Sequence, residues 1–224
     1  MQILGIDEAG RGCVMGPLVI AGVLINPKDQ PRLLELGVKD SKLLSAHRRE
    51  TLVGEIRRIA ISTHMVKLTP KEIDKAVNNR KRLHKLNRLE ARTMAEVIQT
   101  LKPDIAIVDA PDVLPDRYRR HIMECLPFPV QVISEHQADR NYPVVSAASI
   151  IAKVERDHAI EELKVQYGDF GSGYMSDPKT KNFLFKLARE CSEYPDFVRR
   201  SWKPAKSAKV EANNKQTLLC EESI

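Results

Sequence analysis

Short runs of apolar residues alternate with longer amphipathic segments along most of the chain. β-Branched and aliphatic runs are typical of buried strands, whereas apolar residues that recur every three or four positions are typical of helices. The pattern predicts strands at residues 2–6, 17–25, 61–68, 105–109 and 130–133. It also predicts helices that begin at Ser45 and Pro70, and further helices at residues 83–101, 115–125 and 145–167.

The order of these segments predicts a mixed α/β fold. Strands and helices alternate in the second half, which indicates parallel strand pairs, while the adjacent early strands indicate antiparallel pairs. A glycine-rich loop at 169–178 and a helical segment to about Trp202 follow. Residues 203–224 lack periodicity, and we expect a disordered tail. We therefore divide the chain into a main domain at 1–168, a helical extension at 169–202 and the tail at 203–224.

Composition and charge limit the classes of protein that the chain can represent. The 224 residues are 42% hydrophobic, and 36 Lys and Arg against 30 Asp and Glu give a net charge of +6. A basic protein of this size tends to meet polyanions, most commonly nucleic acid, although charge alone does not establish this. The four cysteines form no C-x-x-C pair, which predicts free thiols in a reducing compartment. No apolar run spans a bilayer, and Asp7, Glu8 and Arg11 interrupt the N-terminus, so we expect a cytoplasmic protein without membrane contact.

Three of the predicted strands lead into acidic residues. One strand ends at Asp7 and Glu8, a second ends at Asp109, and a third leads through a short loop to Asp139. Carboxylates that meet beyond strand ends repel one another unless a cation neutralises them, and oxygen ligands suit Mg²⁺ or Mn²⁺. Two such ions roughly 4 Å apart can promote phosphodiester hydrolysis. Strands also commonly end in solvated acids, so the pattern by itself leaves that alternative open.

Two further segments have polar residues in an unusual setting. Glycines at Gly10 and Gly12 flank Arg11, and such a turn allows backbone amides to approach a ligand. A surface arginine in a tight turn is the alternative. The predicted helix after Asp139 carries one polar stripe among apolar residues, which either contacts a phosphate or is satisfied by internal hydrogen bonds and salt bridges. The stripe consists of Ser146, Ser149, Lys153 and Arg156.

Three single residues are also candidates. Lys42, in a short polar run, is placed to contact a backbone phosphate, or it belongs to an ordinary capped loop. Tyr174 stands in a flexible glycine-rich loop, where its ring can stack on a sugar or base, or can pack over the C-terminal segment. His136 lies near Asp139 and can assist proton transfer, although a structural role is the more common one for such a residue.

Together, these segments resemble the ribonuclease HII family of type 2 ribonucleases H, and in particular archaeal-like members. The resemblance extends over most of residues 1–202. It is carried by Asp-Glu-Ala-Gly-Arg-Gly at 7–12, Asp-Ser-Lys at 40–42, Val-Asp at 108–109, Ala-Asp at 138–139, Val-Val-Ser-Ala-Ala-Ser-Ile-Ile-Ala-Lys-Val at 144–154 and Gly-Ser-Gly-Tyr-x-Ser-Asp-Pro at 171–178, where Met175 stands in place of the family's usual proline.

The resemblance implies an RNase H-like mixed five-stranded sheet flanked by helices, with a small helical C-terminal extension. It implies that the metal-binding catalytic acids are Asp7, Glu8, Asp109 and Asp139. It implies that a loop senses the ribose 2′-hydroxyl and that a tyrosine packs on the sugar at the RNA–DNA junction; these are Gly10, Arg11, Gly12 and Tyr174. The positions that would contact phosphates are Lys42, Ser149 and Lys153.

The expected activity is cleavage of the RNA strand of RNA/DNA hybrids and cleavage 5′ of single ribonucleotides in duplex DNA. We expect two-metal-ion hydrolysis by Mg²⁺ or Mn²⁺, which leaves 5′-phosphate and 3′-hydroxyl ends, by a monomer. The alternatives are another nuclease of the same fold, such as a resolvase or transposase-like enzyme, and a non-catalytic nucleic-acid-binding protein. Gln216 and Leu219 have the spacing of a sliding-clamp peptide without its aromatic pair, so any clamp contact is expected to be weak.

Overall fold

The computed structural model describes residues 1–38, 44–79, 83 and 85–221, with side chains to residue 214. The β-strands are Ile3–Ala9 (β1), Leu18–Ile25 (β2), Ser62–Leu68 (β3), Ile105–Asp109 (β4) and Gln131–Glu135 (β5). After a 3-10 turn at Pro27–Asp29, the α-helices are Gln30–Glu35 (α1), Ala46–Ile59 (α2), Pro70–Val77 (α3), Lys85–Leu101 (α4), Pro115–Met123 (α5), Ala138–Asn141 (α6), Pro143–Tyr167 (α7), Pro178–Glu190 (α8) and Lys203–Glu221 (α9).

The strands form one mixed sheet in the order β3-β2-β1-β4-β5. β1 pairs antiparallel with β2 and parallel with β4, and β4 pairs parallel with β5. This confirms the predicted mixed sheet with antiparallel pairing early and parallel pairing late. The two parallel pairs bring the carboxyl ends of β1, β4 and β5 to one edge of the sheet, which is where the predicted acids follow.

Two glycines allow helices to approach the sheet closely. A Cβ atom on Gly5 of β1 would overlap the backbone of Val144, in the first turn of α7. A Cβ atom on Gly22 of β2 would overlap the side chain of Val97 in α4. Asp7 lies two residues after Gly5, and alternate strand residues share a face, so Asp7 projects toward the α7 side.

The described chain divides into two compact units. Unit 1 comprises Met1–Ala9, Val19–Lys67 and Arg82–Asp157, and unit 2 comprises Gly10–Leu18, Leu68–Lys81 and His158–Ile224. The predicted division into 1–168 and 169–202 was linear along the chain. The structure differs because two early segments belong to unit 2, and because the division between the units falls within α7 instead of after it.

The core of unit 2 contains a cluster of phenylalanine rings. Phe170 stacks on Phe197 with ring centroids 5.3 Å apart, and Phe183 lies 5.8 Å from Phe170. Asp177 begins α8 as its N-cap by accepting a hydrogen bond from the Lys179 amide. The cap fixes the end of the glycine-rich loop that precedes α8.

The structure corrects the prediction of a disordered tail. Residues from Lys203 form α9, and Ala205, Ala208 and Ala212 are buried in the unit 2 core. These alanines recur at spacings of three and four, which is a helical face, but alanine is too weakly apolar for that face to stand out in the sequence. Within the described part of the chain, no helix is long and apolar enough to cross a membrane.

Candidate active site

Asp7 and Asp109 lie next to each other at the ends of two parallel strands. In the β1–β4 register, Ile6 is the partner of Val108, and each aspartate is the next residue along its strand. Asp7 is buried, with 5% of its surface exposed, and Asp109 is half-buried. The predicted convergence of these two strand-end acids is therefore present in unit 1.

The surroundings of Asp7 disfavour its negative charge. Burial, and after it the negative charge of Asp109, raise the pKa of Asp7 from 3.8 to about 7. A hydrogen bond from Ser149, the Glu8 amide at 2.7 Å and the positive charge of Lys153 oppose that shift without cancelling it. Two carboxylates that repel each other in a buried site need a cation for both to ionise at neutral pH.

Asp139 follows from the same strand edge through a short turn. Gln137 adopts the left-handed conformation, with φ of 56°, between β5 and α6. The next amide, of Ala138, donates a hydrogen bond of 2.7 Å to Oδ1 of Asp109. Asp109 thus holds the start of the short helix in which Asp139 is buried, with 7% of its surface exposed. Asp139 is therefore the residue directly after the one whose amide is bonded to Asp109.

Glu8 is not brought to the other acids by strand register alone. It lies opposite Ile20 of β2 and is half-buried. Successive strand residues point to opposite faces, so Glu8 leaves β1 on the side away from Asp7. Among the described residues, no three His, Cys, Asp or Glu side chains already form a group that could hold a metal ion. The complete set of four metal ligands therefore stays a prediction.

Asp112, which sequence reasoning missed, and His136, for which a structural role was the more common expectation, hold the loop after Asp109. Asp112 is buried and accepts hydrogen bonds from the Leu114 amide at 3.1 Å and from Arg117 Nε at 3.0 Å. Nδ1 and Nε2 of His136 lie 3.2 and 3.3 Å from the carbonyl oxygens of Ala110 and Val113. These contacts give His136 a structural position on the loop. In the sequence, Asp112 is one of several acidic residues in this stretch, and nothing distinguishes it from a solvated one.

The polar stripe of α7 has internal partners. Ser146 donates to the carbonyl of Val38, Lys153 Nζ donates to Ser149 Oγ at 2.7 Å, and Arg156 pairs with Asp157 at 3.1 Å. Ser149 and Lys153 also lower the pKa of Asp7, the first through a hydrogen bond and the second through its positive charge. The internal alternative thus describes Ser146 and Arg156, whereas Ser149 and Lys153 lie beside the acids. Lys42 is outside the described residues.

In unit 2, the predicted Gly-Arg-Gly turn lies beside the predicted tyrosine loop. The amide of Val14 donates to the carbonyl of Gly173 at 2.9 Å. A Cβ atom on Gly12 would stand 3.8 Å from Cε1 of Tyr174, so the ring edge is in ordinary contact distance of that glycine. Two motifs that are about 160 residues apart in the sequence are therefore neighbours in the fold.

The tyrosine loop is held by side chains of its own unit. The Ser172 amide donates to Asp177 at 2.6 Å, and the Gly173 amide donates to Thr180 Oγ1 at 2.9 Å. The Thr180 hydroxyl donates in turn to the carbonyl of Phe170 at 2.8 Å. These hydrogen bonds fix the backbone of the glycine-rich loop at 169–178, which the sequence predicted to be flexible.

A buried arginine that sequence reasoning also missed holds the Gly-Arg-Gly turn. Arg199 has no exposed surface, and its guanidinium donates to the carbonyls of Gly10, Arg11 and Gly16. It also lies 5.0 Å from the centre of the Trp202 ring. In the sequence, this residue is one of two adjacent arginines near the C-terminus and is indistinguishable from a solvated pair.

Comparison with known proteins decides the family. The family model for ribonuclease HII matches residues 4–205. The chain belongs to the ribonuclease HII family. A ribonuclease HII of Thermococcus onnurineus is 47% identical over 208 residues, which cover 92% of this chain and 89% of that protein. Ribonucleases HII are hydrolytic endonucleases, so the chain is an enzyme with ribonuclease H activity.

Solved structures of ribonucleases HII have the same fold. Ribonuclease H2 from Pyrococcus horikoshii OT3 is 43% identical with a TM-score of 0.86, covering 95% of this chain and 99% of that one. Ribonuclease HII from Archaeoglobus fulgidus, solved in complex with PCNA, is 48% identical with a TM-score of 0.82, covering 91% and 96%. Bst-RNase HIII in complex with Mn²⁺ is 20% identical with a TM-score of 0.77, covering 96% and 71%, and shows the fold alone.

Proposed function

We propose that this ribonuclease HII cleaves the RNA strand of RNA/DNA hybrids and cuts 5′ of single ribonucleotides embedded in duplex DNA, leaving 5′-phosphate and 3′-hydroxyl ends. The proposal is carried by the juxtaposition of Asp7 and Asp109 at the edge of the sheet, in a chain of this family. A buried and a half-buried carboxylate that repel each other suit a centre for phosphodiester hydrolysis better than a surface for binding anionic backbone.

The residues at this edge fit divalent cations. The donors are carboxylate oxygens, which Mg²⁺ and Mn²⁺ prefer, and burial and the charge of Asp109 raise the pKa of Asp7 despite the nearby positive charge of Lys153. We propose that two such ions are held by Asp7, Glu8, Asp109 and Asp139. When bound, they would activate a water and neutralise the charge that develops on the phosphate.

The chain's own residues prepare this centre. Asp109 accepts the Ala138 amide, which orients the carboxylate and holds the helix that carries Asp139. Ser149 and Lys153, bonded to each other at 2.7 Å, favour the ionised form of Asp7 from the α7 side. The ammonium of Lys153 is also suited to a substrate phosphate, and we assign Lys42, Ser149 and Lys153 to that contact.

Recognition of RNA requires a contact to the ribose 2′-hydroxyl, which is the group that DNA lacks. We assign this contact to the backbone of Gly10, Arg11 and Gly12, and the packing against the sugar at the RNA–DNA junction to Tyr174. The support is that Gly12 and Tyr174 are neighbours in unit 2, on loops fixed by hydrogen bonds. A ring held in place loses little entropy when a sugar packs on it.

A panel of three substrates tests the activity. The substrates are a long RNA/DNA hybrid, a DNA duplex with one ribonucleotide and a four-way DNA junction, each with Mg²⁺, Mn²⁺ or chelator. We expect cleavage of the first two with either metal, mapped 5′ of the ribonucleotide in the second, and none with chelator. Cleavage of the junction alone would favour a resolvase-like nuclease. Tight binding without any cleavage would favour a non-catalytic binding protein and would contradict the proposal.

We further propose that the chain makes a weak contact with a sliding clamp. We also propose that it is a monomer in the cytoplasm. The A. fulgidus relative was solved with PCNA, and Gln216 and Leu219 have part of the spacing of a clamp-binding peptide. Both residues lie beyond the described side chains. Calorimetric titration with a clamp, using the full chain and a chain that ends at residue 215, should show weak binding by the full chain only. Light scattering that gave a dimer mass would contradict the monomer.

A further inference from the structure

We infer that Arg199 is a positioning residue for ribonucleotide recognition, because its buried guanidinium sets the orientation of the Gly10–Arg11–Gly12 backbone. This inference rests on the proposed function, and it adds to it a residue far from that turn in the sequence.

The contacts of Arg199 concentrate on one short segment. Nη2 donates to the carbonyl of Gly10 at 2.6 Å and Nη1 donates to the carbonyl of Arg11 at 2.8 Å. Nε and Nη2 donate to the carbonyl of Gly16 at 3.2 and 3.1 Å. The planar guanidinium thus engages three carbonyl oxygens at fixed angles, which a lysine ammonium at the same position does not reproduce.

Holding these carbonyls determines where the following amides point. In a trans peptide, the carbonyl of one residue and the N–H of the next point in opposite directions. Because the carbonyls of Gly10 and Arg11 face Arg199 in the interior, the amides of Arg11 and Gly12 face away from it. Gly12 is exposed and lies beside Tyr174. The turn therefore presents backbone donors on its outer side, as recognition of a hydroxyl oxygen requires.

The side chain of Arg199 is separable from the rest of the attachment of this segment. Residues 14–16 are anchored by backbone bonds: Val14 donates to Gly173, Gly16 donates to Phe197, and Arg199 donates to Val14 through its own amide. These bonds persist when the Arg199 side chain changes. The Gly10 carbonyl also accepts the Cys13 amide at 3.3 Å, so loss of the Arg199 side chain should loosen the Gly10–Gly12 turn while residues 14–16 stay in place.

The test compares Arg199→Lys and Arg199→Met with Asp74→Asn as a matched control. Asp74 accepts hydrogen bonds from the amides of Arg200 and Ser201, so it anchors the same C-terminal segment, and its bonds go to that segment and not to the turn. For both Arg199 variants we expect kcat/KM on the single-ribonucleotide duplex to fall by about a hundredfold, the effect of roughly 1 Å of misplacement. The fall should be in kcat, with hybrid affinity changed by less than about threefold. Asp74→Asn should lower the melting temperature but keep the cleavage rate.

Three results would overturn the inference. One is native cleavage and native discrimination of RNA over DNA by Arg199→Lys. Another is a loss of cleavage by Asp74→Asn that is as large, relative to its loss of stability, as the loss of cleavage by the Arg199 variants. The third result is measured without an Arg199 variant, by NMR on the full chain carrying Asp7→Asn. We expect the amide resonances of Arg11 and Gly12 to shift when a ribonucleotide-containing duplex is added and not when an all-DNA duplex is added. Equal shifts would contradict the assignment.

The failure of this inference is distinguishable from that of the proposed function. If the unsubstituted chain does not cut the single-ribonucleotide duplex, the proposed function fails. If it cuts that duplex and Arg199→Lys cuts it equally well, only the role of Arg199 fails.

Discussion

Asp7 and Asp109 occupy adjacent positions on two parallel strands, and burial together with the charge of Asp109 raises the pKa of Asp7. The sheet thus holds together two groups that repel each other. Such an arrangement lowers the stability of the metal-free fold and prepares it for a cation.

Replacing Asp7 by Asn should abolish cleavage while hybrid binding persists. The amide has nearly the same shape but lacks the charge that a divalent ion requires. We expect at least about a hundredfold loss of cleavage rate, because even outer-shell partners of metal ligands cost about 10- to 100-fold when mutated. Single-turnover cleavage and gel-shift binding measure the two quantities. Asp116→Asn, at a side chain that is 89% exposed, is the control and should cut normally. Near-native cleavage by Asp7→Asn would refute the metal assignment.

The metal-free protein should lose stability with rising pH through the titration of Asp7. Its folded pKa of about 7 lies above the unfolded value of 3.8, so the folded state binds this proton more tightly. The resulting stabilisation is complete below pH 3.8 and is lost as the pH rises through about 7. Melting temperatures in chelator should therefore fall between pH 5 and pH 8 more steeply for the native chain than for Asp7→Asn. Parallel pH profiles would contradict the repulsion, and Mg²⁺ should raise the native melting temperature at pH 8.

Replacing Tyr174 by Ala should affect the single-ribonucleotide duplex more than the long hybrid. A duplex with one ribonucleotide offers one junction to recognise, whereas a hybrid offers many equivalent positions. We take the contact of the ring with the sugar to be comparable to stacking on a base, which is worth about 1–3 kcal/mol, and expect roughly a tenfold or greater loss of kcat/KM on the first substrate. Tyr174→Phe keeps the ring and should retain most of the activity. Equal losses on both substrates would argue against a role at the junction.

Replacing Asp112 by Ala should destabilise the loop that follows Asp109. The hydrogen bonds from Arg117 hold the pKa of Asp112 well below its ordinary value, so its contribution is present above the unfolded pKa of 3.8 and is lost as the pH falls below it. We expect a loss of about 2 kcal/mol of unfolding free energy at pH 7, measured by urea denaturation. Asp116→Ala should stay within about 0.5 kcal/mol. The difference between the two variants should shrink at acid pH, and an undiminished difference would contradict the ion pair.

The sequence predicted the strands because the apolar runs are short, and it predicted the acids because three of these runs lead into carboxylates. It predicted neither the register that makes Asp7 and Asp109 neighbours nor the face on which Glu8 leaves β1, since both depend on pairing between distant segments. The helical face of α9 was missed because it consists of weakly apolar alanines. Arg199 was missed because its contacts, like the strand register, join distant segments. A buried arginine is recognisable only by the carbonyls that surround it, and those belong to residues 10–16.

Gly5 has a consequence for engineering this enzyme. Exchanging a strand glycine for alanine ordinarily stiffens the unfolded chain and raises stability. At Gly5 the added methyl would collide with the main chain of Val144 and push the start of α7 outward. Because Ser149 and Lys153 lie in that helix, the exchange would also draw them away from Asp7. The separation between the acid and its basic neighbour is therefore set by a missing methyl group, and Gly5→Ala should cost both stability and catalytic geometry.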